Sequence, residues 1–255
     1  YNRVKDLAIS SIKGTEAYLR FNEEDMNKFA VTHKNLPGKD IFNPSNNGKL
    51  FISIDMRKAN FSSLHEYDST MFGEANTWEE FISKFTNSKH IANSKYIRQV
   101  ILGNCNPKRH ITYEKYLMDQ TLSLLLDLFD GKNVVFFSND EIIFDVTAEN
   151  DLSQLIHLKD MVADQLNAKS KIPFRVELFS LYKINGTDGY YKKIYRENGD
   201  YDIDFKCLNN YMIPFVFRLF LGEEITENDK VFYHEGLLAK FIDVPNIETN
   251  DKMNS

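Results

Sequence analysis

The strongest constraint on the fold is the stretch of residues 134–146, in which two apolar, β-rich runs meet at a short polar turn. This pattern predicts a β-hairpin with the acidic pair Asp140 and Glu141 at its tip. A second apolar run, residues 50–54, ends in Asp55 and predicts a buried strand. Carboxylates on rigid strands are suited to metal binding. The interpretation of the hairpin therefore depends on whether the fold brings Asp55 close to it.

The predicted elements between residues 50 and 183 follow the order strand, helical insertion, helix, strand, turn, strand, helix, strand. The helices are predicted from apolar residues at helical spacing, most clearly over residues 112–129, and the strands from short β-branched and aromatic runs. This is the βαββαβ order of a ferredoxin-like sheet. In that topology the end of the first strand and the turn between the second and third strands share one edge. We therefore expect Asp55 to lie near Asp140 and Glu141.

The chain is predicted to be an α+β protein with a ferredoxin-like βαββαβ palm, a helical insertion after the first strand and an α/β C-terminal extension. The predicted boundaries are residues 1–49 for a helical lead-in and loop, 50–183 for the palm-like catalytic core with its insertion at 57–107, and 184–255 for a C-terminal hairpin and helices. The Asn198-Gly199-Asp200 turn predicts that hairpin. Apolar residues over 231–241 predict a late helix.

Composition restricts the compartment and the partners more than the chemistry. The chain has 42% hydrophobic residues, and no apolar run approaches the roughly 20 residues that span a bilayer, so we expect no membrane partner. Two widely separated cysteines, Cys105 and Cys207, predict reduced thiols in a cytoplasmic protein and no zinc site. The net charge of -6 argues against indiscriminate nucleic-acid binding, but 31 lysines and arginines leave room for a local basic patch.

Carboxylates that converge from two strands are what metal-dependent nucleotidyl transfer requires. That reaction uses two Mg²⁺ ions about 3.5 to 4 Å apart, with Mn²⁺ as the alternative ion. We predict Asp55 and Asp140 as catalytic metal ligands, with the Met56 carbonyl as a further ligand. Glu141 is predicted to assist them, but strand alternation turns neighbouring residues to opposite faces. Each acid taken singly is also explained as a turn former or a strand end.

Basic and polar residues of the predicted core are candidates for binding a substrate, although the long helix begins at the opposite end from the hairpin turn unless the insertion folds back over the site. Arg57 and Lys58 follow the first strand directly, and Asn60 could contact a sugar or a base. Lys108 and Arg109 open the predicted long helix, so their charges and the helix N-terminus could cradle a triphosphate. The alternative for each of these residues is a solvated surface position.

Two segments resemble the tRNA-histidine guanylyltransferase family of 3′-to-5′ polymerases, within the wider class of polymerase and cyclase palms. They are Ile54-Asp55-Met56-Arg57 with Phe61, and Ser138-Asn139-Asp140-Glu141 before an apolar strand. In that family the first strand ends in Ile-Asp-Gly-Arg, followed closely by Phe, and the hairpin carries Ser-Asp-Glu. The resemblance implies that Asp55 and Asp140 are the metal-binding acids and that Met56 supplies a backbone-carbonyl ligand.

The sequence departs from the pattern of that family in several places. Met56 replaces the glycine, Phe61 stands later than the phenylalanine of the family, and Asn139 is inserted between Ser138 and the acids. The Asn-rich catalytic stretch of the family is not visible. The resemblance covers about half of the chain, and it supports the palm class better than the particular family.

We therefore expect a magnesium-dependent nucleotidyltransferase or polymerase that takes nucleoside triphosphates and adds nucleotides to RNA or another nucleic-acid acceptor. Two alternatives stay open. The same acids could serve a nucleotide cyclase or a nuclease. The chain could instead be a non-enzymatic ferredoxin-like binding or assembly module whose acids are only turn residues. The sequence does not indicate an oligomeric state.

Overall fold

The structure is a computed structural model that describes residues 1–129, 133–149 and 151–247. The described part is an α+β protein, which confirms the predicted class at that level. Its α-helices are α1 (Asn2–Lys13), α2 (Glu16–Glu23), α3 (Ala59–Tyr67), α4 (Trp78–Ser83), α5 (Lys89–Asn93), α6 (Lys95–Gly103), α7 (Pro107–Leu125), α8 (Leu152–Lys169) and α9 (Ile213–Phe220). Its strands are β1 (Leu50–Met56), β2 (Val134–Phe137), β3 (Glu141–Asp145), β4 (Phe174–Lys183), β5 (Tyr190–Tyr195), β6 (Tyr201–Lys206), β7 (Val231–His234) and β8 (Leu237–Lys240).

Six of these strands form one antiparallel sheet in the order β2-β3-β1-β4-β5-β6. The predicted order of elements from residue 50 to residue 183 is therefore observed, with α3 to α6 as the helical insertion. The predicted hairpin around Gly199 is formed by β5 and β6. The central strand β1 has fully buried side chains on both of its faces, because Phe51, Ile52 and Ile54 follow one another nearly without interruption.

The chain divides into two compact units. The first contains Tyr1–Gly38, Ser53–Phe144 and Asp160–Val176, and the second contains Lys39–Ile52, Asp145–Lys159 and Glu177–Ser255. The domain boundaries expected at residues 49 and 183 stay predictions.

Local sequence signals explain where the helices of the first unit begin. Thr77 and Glu80 form a capping box at the start of α4. Pro107 occupies the first turn of α7, where its missing N–H removes no helical hydrogen bond. Helix α3 packs against α7, and α1 packs against α6. These contacts hold α3 and α6, two helices of the insertion, against α7 and α1.

The second unit has its own apolar core, and one prediction from the sequence is wrong in this unit. A buried cluster is formed by Ile184, Tyr191, Phe215 and Val216. The helix predicted over residues 231–241 is wrong, because β7 and β8 pair there as a two-stranded hairpin. Glu235 and Gly236 have φ angles of 51° and 81°, which suit the two-residue turn that joins such strands.

Among the described helices, none is long and apolar enough to cross a lipid bilayer.

A buried carboxylate on α7 holds the segment that follows α2. Asp119 is fully buried and accepts hydrogen bonds from the backbone N–H groups of Thr32 and His33, both at 2.9 Å. It also accepts from the Thr32 hydroxyl at 2.7 Å and faces His33 Nδ1 at 2.9 Å. Burial alone would raise the pKa of Asp119, but these hydrogen bonds outweigh burial and hold that pKa below its ordinary value.

We expect Asp119→Asn to lower the free energy of unfolding by about 2 kcal/mol at neutral pH, because it weakens charge-assisted hydrogen bonds to a buried group. A depressed pKa stabilises the fold above the ordinary carboxyl pKa, and that contribution is lost as the pH falls through the depressed value. The difference in the free energy of unfolding between the wild type and Asp119→Asn should therefore shrink in acid. Urea unfolding at pH 7 and pH 3 measures it, with the exposed Asp127→Asn as control. Equal stability of Asp119→Asn and Asp127→Asn at neutral pH would contradict this role.

Candidate functional site

A cavity of about 650 Å³ lies within the first unit, at the end of β1. Its walls come from the loop after β1, from α6, from the first half of α7, from the β2–β3 turn and from the start of β4. Six residues predicted from the sequence line it, namely Asp55, Met56, Arg57, Lys58, Asn60 and Asp140. The cavity therefore brings together residues from distant parts of the chain, and we call it the site pocket.

A backbone hydrogen bond joins the two elements that carry the predicted acids. The Met56 N–H donates to the Asp140 carbonyl at 2.8 Å, so the end of β1 lies directly beside the turn before β3. The Asp140 carboxylate accepts a hydrogen bond from the Ser138 hydroxyl at 2.9 Å. The same Ser138 oxygen accepts from the Glu141 N–H at 2.9 Å. This compact turn fixes the position of the Asp140 side chain.

The Asp55 carboxylate forms an ion pair with Arg175 on β4, with 3.1 Å between Oδ2 and Nη2. The two side chains are 28% and 54% exposed, respectively. A partly exposed pair of this kind contributes little to stability. The positive charge of Arg175 offsets the charge of Asp55, and the ion pair orients the Asp55 carboxylate at the wall of the site pocket.

Three residues predicted to belong to the site are absent from the described lining of the pocket. Glu141 is one, as expected if strand alternation turns it away from Asp140. Lys108 and Arg109 are the others. Arg109 instead donates to the carbonyls of Phe21 and Glu24, which ties α7 to α2. The structure thus does not bring these two cations to the pocket.

The phase of α7 explains this result. The residues of α7 that line the pocket are Pro107, His110, Ile111 and Glu114. Their spacing of three, four and seven positions places them on one helix face. Lys108 and Arg109 fall between these positions and therefore point elsewhere. The start of the helix does lie at the site, but its cations do not.

Helix α6 supplies polar residues that the sequence analysis did not identify. Lys95, Arg98 and Gln99 line the pocket on one face of this helix. The sequence feature that could have identified this face is Arg98, because it lies within an apolar stripe of the helix in which Ile97 and Ile101 are also buried. An arginine at such a position needs a polar environment, and only the folded insertion shows what that environment is.

Cations outnumber carboxylates among the described lining residues. The basic side chains are Arg57, Lys58, Lys95, Arg98 and Arg175, and the acidic side chains are Asp55, Glu114 and Asp140. Lys58 is held by Glu79 through contacts of 2.5 and 2.7 Å. An excess of positive charge in the pocket of a chain whose net charge is -6 favours an anionic ligand.

The N-terminus of α3 adds backbone donors to the same wall. Lys58, Ala59 and Asn60 line the pocket, and α3 has no side-chain cap. Lys58 adopts a left-handed conformation with a φ angle of 51°, which is uncommon for a residue other than glycine. Uncapped N–H groups at a helix start attract anions, particularly phosphates. Strained backbone at such a position is typical of functional sites.

A buried acid on α7 supports the turn that carries Asp140. Glu114 is only 4% exposed, and its Oε2 accepts a hydrogen bond from Asn139 Nδ2 at 2.6 Å. Burial, with a smaller contribution from the charge of Asp140, raises the pKa of Glu114 to about 7, while the Asn139 hydrogen bond opposes the change. Nearby His110 is also buried, and burial lowers its pKa to about 4. His110 is therefore neutral at physiological pH.

The donors present suit a hard divalent cation such as Mg²⁺. Asp55, Asp140 and the Met56 backbone offer carboxylate and carbonyl oxygens within one pocket. Across residues 1–129, 133–149 and 151–247, no three side chains of histidine, cysteine, aspartate or glutamate are grouped in a way that could hold a metal. A metal here would therefore depend on two carboxylates. Mg²⁺ is commonly held by one or two carboxylates together with waters and substrate phosphates.

Replacing Glu114 by Gln should remove a pH dependence of stability. A raised pKa means that the folded state binds the proton more tightly, so this stabilisation is present below the ordinary value of 4.5 and is lost as the pH rises through about 7. The full loss is on the order of 3 kcal/mol. Relative to the wild type, Glu114→Gln should therefore gain stability between pH 5 and pH 8.

Urea unfolding in EDTA at both pH values measures this difference, and the exposed Glu23→Gln on α2 serves as the control. If the stability of Glu114→Gln and of the wild type changed in parallel with pH, a titrating Glu114 would be disproved.

Comparison with protein-family models, with curated proteins and with solved structures found no match.

Proposed function

We propose that the site pocket is the active site of a magnesium-dependent nucleotidyltransferase with a ferredoxin-like palm. The substrate is a nucleoside triphosphate, and the acceptor is RNA or another nucleic acid. The strand order β2-β3-β1-β4 supports the palm, because it is the order that the βαββαβ topology generates. Strands β5 and β6 then extend the sheet beyond the palm.

One observation carries this proposal. Asp55 and Asp140 line the same pocket, and the hydrogen bond between the Met56 N–H and the Asp140 carbonyl joins the end of β1 to the turn before β3. Neighbouring strands in a sheet are only about 4.8 Å apart. Two carboxylates on adjacent strand ends are the arrangement from which two metal ions can be shared.

The residues that would hold Mg²⁺ are Asp55 and Asp140, with the Met56 carbonyl as a third oxygen donor. Bound Mg²⁺ supplies activation of the attacking hydroxyl and neutralisation of the leaving pyrophosphate. Arg175 keeps Asp55 in place through its ion pair. Ser138 does the same for Asp140 through the hydrogen bond from its hydroxyl. Both acids are thus oriented by neighbouring side chains before substrate arrives.

The remaining walls of the site pocket suit a triphosphate. Arg57 and the uncapped start of α3 lie directly after β1, so they are close in sequence to the proposed metal ligands. Arginine and backbone N–H groups are the donors that phosphate oxygens favour. Asn60 contacts Arg98, with Nε of the arginine 3.3 Å from its Oδ1, which assigns it to positioning a cation.

The nucleic-acid acceptor is supported by the resemblance of the segments around Asp55 and Asp140 to tRNA-histidine guanylyltransferases. A nucleotide cyclase would use the same acids and attack within one nucleotide. A nuclease would use them to direct water at a phosphodiester. A binding module would use neither acid chemically, so product identification separates all four cases.

Asp55→Asn and Asp140→Asn should each lower transfer of a labelled nucleotide to an RNA primer by at least about a hundredfold, because each removes a metal ligand. Their melting temperatures should change by no more than about 4 °C, since a partly exposed ion pair contributes at most about 1 kcal/mol. Transfer is measured with each of the four triphosphates and Mg²⁺ or Mn²⁺, and the products are identified by mass.

Asp145→Asn is the matched control, because it removes a carboxylate at the opposite end of β3 and outside the described pocket lining. It should retain wild-type transfer. Undiminished activity of Asp55→Asn or Asp140→Asn would exclude the proposed mechanism. A cyclic nucleotide or a shortened RNA as the product would select one of the two alternative reactions.

A further inference from the structure

We infer that helix α6 of the insertion builds a phosphate-chain subsite in the site pocket, in which Arg98 is the principal ligand and Lys95 and Gln99 assist. The inference deepens the proposed function and rests on it for the identity of the natural substrate. Binding of a phosphate chain as such can be measured without any transfer reaction.

Arg98 is a buried charge without a carboxylate partner among the described residues. Its side chain lines the pocket, and the residue is only 8% exposed. Within the described part of the chain its polar contact is the single hydrogen bond to the neutral amide of Asn60. Burial lowers the pKa of Arg98, but a guanidinium stays charged at any physiological pH. A buried, charged guanidinium with so little compensation is costly unless an anion joins it.

The carboxylate whose charge acts on Arg98 is already engaged by another cation. Glu79 acts on Arg98 through its charge, but both of its oxygens contact Lys58 Nζ at 2.5 and 2.7 Å. Glu79 is thus neutralised by Lys58. The positive charge of Arg98 is therefore available to a ligand in the pocket.

The contact with Asn60 also sets the direction of the guanidinium. Nε is occupied by Asn60 Oδ1, which leaves the two terminal nitrogens for a ligand. Two parallel N–H groups are the arrangement that binds two oxygens of one phosphate. Lys95 and Gln99 lie three positions before and one position after Arg98 and line the same pocket. They are exposed, so they can move to meet a ligand.

A chain of phosphates fits this arrangement better than a single small anion. The pocket holds about 650 Å³, and its cations are distributed over the loop after β1, α6 and β4. A second, independent feature is the uncapped start of α3 on the same wall. Several donors spread over three elements match several linked phosphates. Two sources carry that chemistry, namely a nucleoside triphosphate and the 5′-triphosphate end of an RNA.

Calorimetric titration with inorganic tripolyphosphate in EDTA tests the subsite without metal or base. We expect the wild type to bind, and we expect Arg98→Met to weaken binding by at least about tenfold. Arg98→Lys keeps the charge but loses the fork, so its loss should be intermediate. Lys89→Met, which removes an exposed lysine of the same insertion outside the described pocket lining, should bind as the wild type does.

Because Arg98 is buried, its variants are compared by circular dichroism and melting temperature before titration. The exposed Lys95→Met avoids any folding defect and should weaken binding about threefold. Absence of binding by the wild type, or wild-type binding by both Arg98→Met and Lys95→Met, would overturn the subsite. ATP and a 5′-triphosphorylated RNA in the same titration identify the source, since the natural one should bind tighter than tripolyphosphate.

The outcomes for the subsite and for the proposed function are distinguishable. Tripolyphosphate binding that depends on Arg98, in a protein that transfers no nucleotide, supports the subsite and removes the proposed transferase. Transfer that depends on Asp55 but not on Arg98 or Lys95 supports the transferase and removes the subsite.

Discussion

The hydrogen bond from the Met56 N–H to the Asp140 carbonyl, 2.8 Å long, fixes the register between β1 and the β2–β3 turn. A slip of one residue would exchange the faces of Asp55 and Met56 and remove one carboxylate from the pocket. The same register determines where the chain leaves β1, and therefore where α3 begins. The next residue is fixed as well, because the Arg57 N–H donates to the Pro173 carbonyl at 2.9 Å. The site thus depends on backbone pairing at the end of one central strand.

Charge compensation is the second constraint, and the pocket satisfies it only in part. Lys58 is compensated by Glu79 and Arg175 by Asp55. Glu114 avoids the cost of a buried charge through its raised pKa, since it is largely protonated below about pH 7. Arg98 cannot avoid the cost of a buried charge in this way, because a guanidinium does not deprotonate. Native proteins tolerate such local conflicts mainly at functional sites. The surplus of positive charge is therefore best explained by an anionic ligand.

The order of elements could be predicted because periodicity is a local property of the sequence. The hairpin of β7 and β8 was missed, since its apolar residues also fit helical spacing and the two-residue turn at Glu235 and Gly236 lacks the usual Asn-Gly signal. The presence of Asp55 and Asp140 at the same edge of the sheet could be predicted from topology alone. Which faces of α6 and α7 line the pocket could not be predicted, because this depends on the packing of the insertion. That packing brings Arg98 into the pocket and turns the cations at the start of α7 away from it.

The support for Asp140 explains why residue 139 is an asparagine. Asn139 stands between Ser138 and the acids, and its amide donates to buried Glu114. An aspartate at this position would place a second carboxylate against Glu114, and the two would repel each other in a low-dielectric environment. An amide donor instead satisfies the buried acid. Residue 139 therefore has a structural reason to be asparagine, and it connects the turn that carries Asp140 to helix α7.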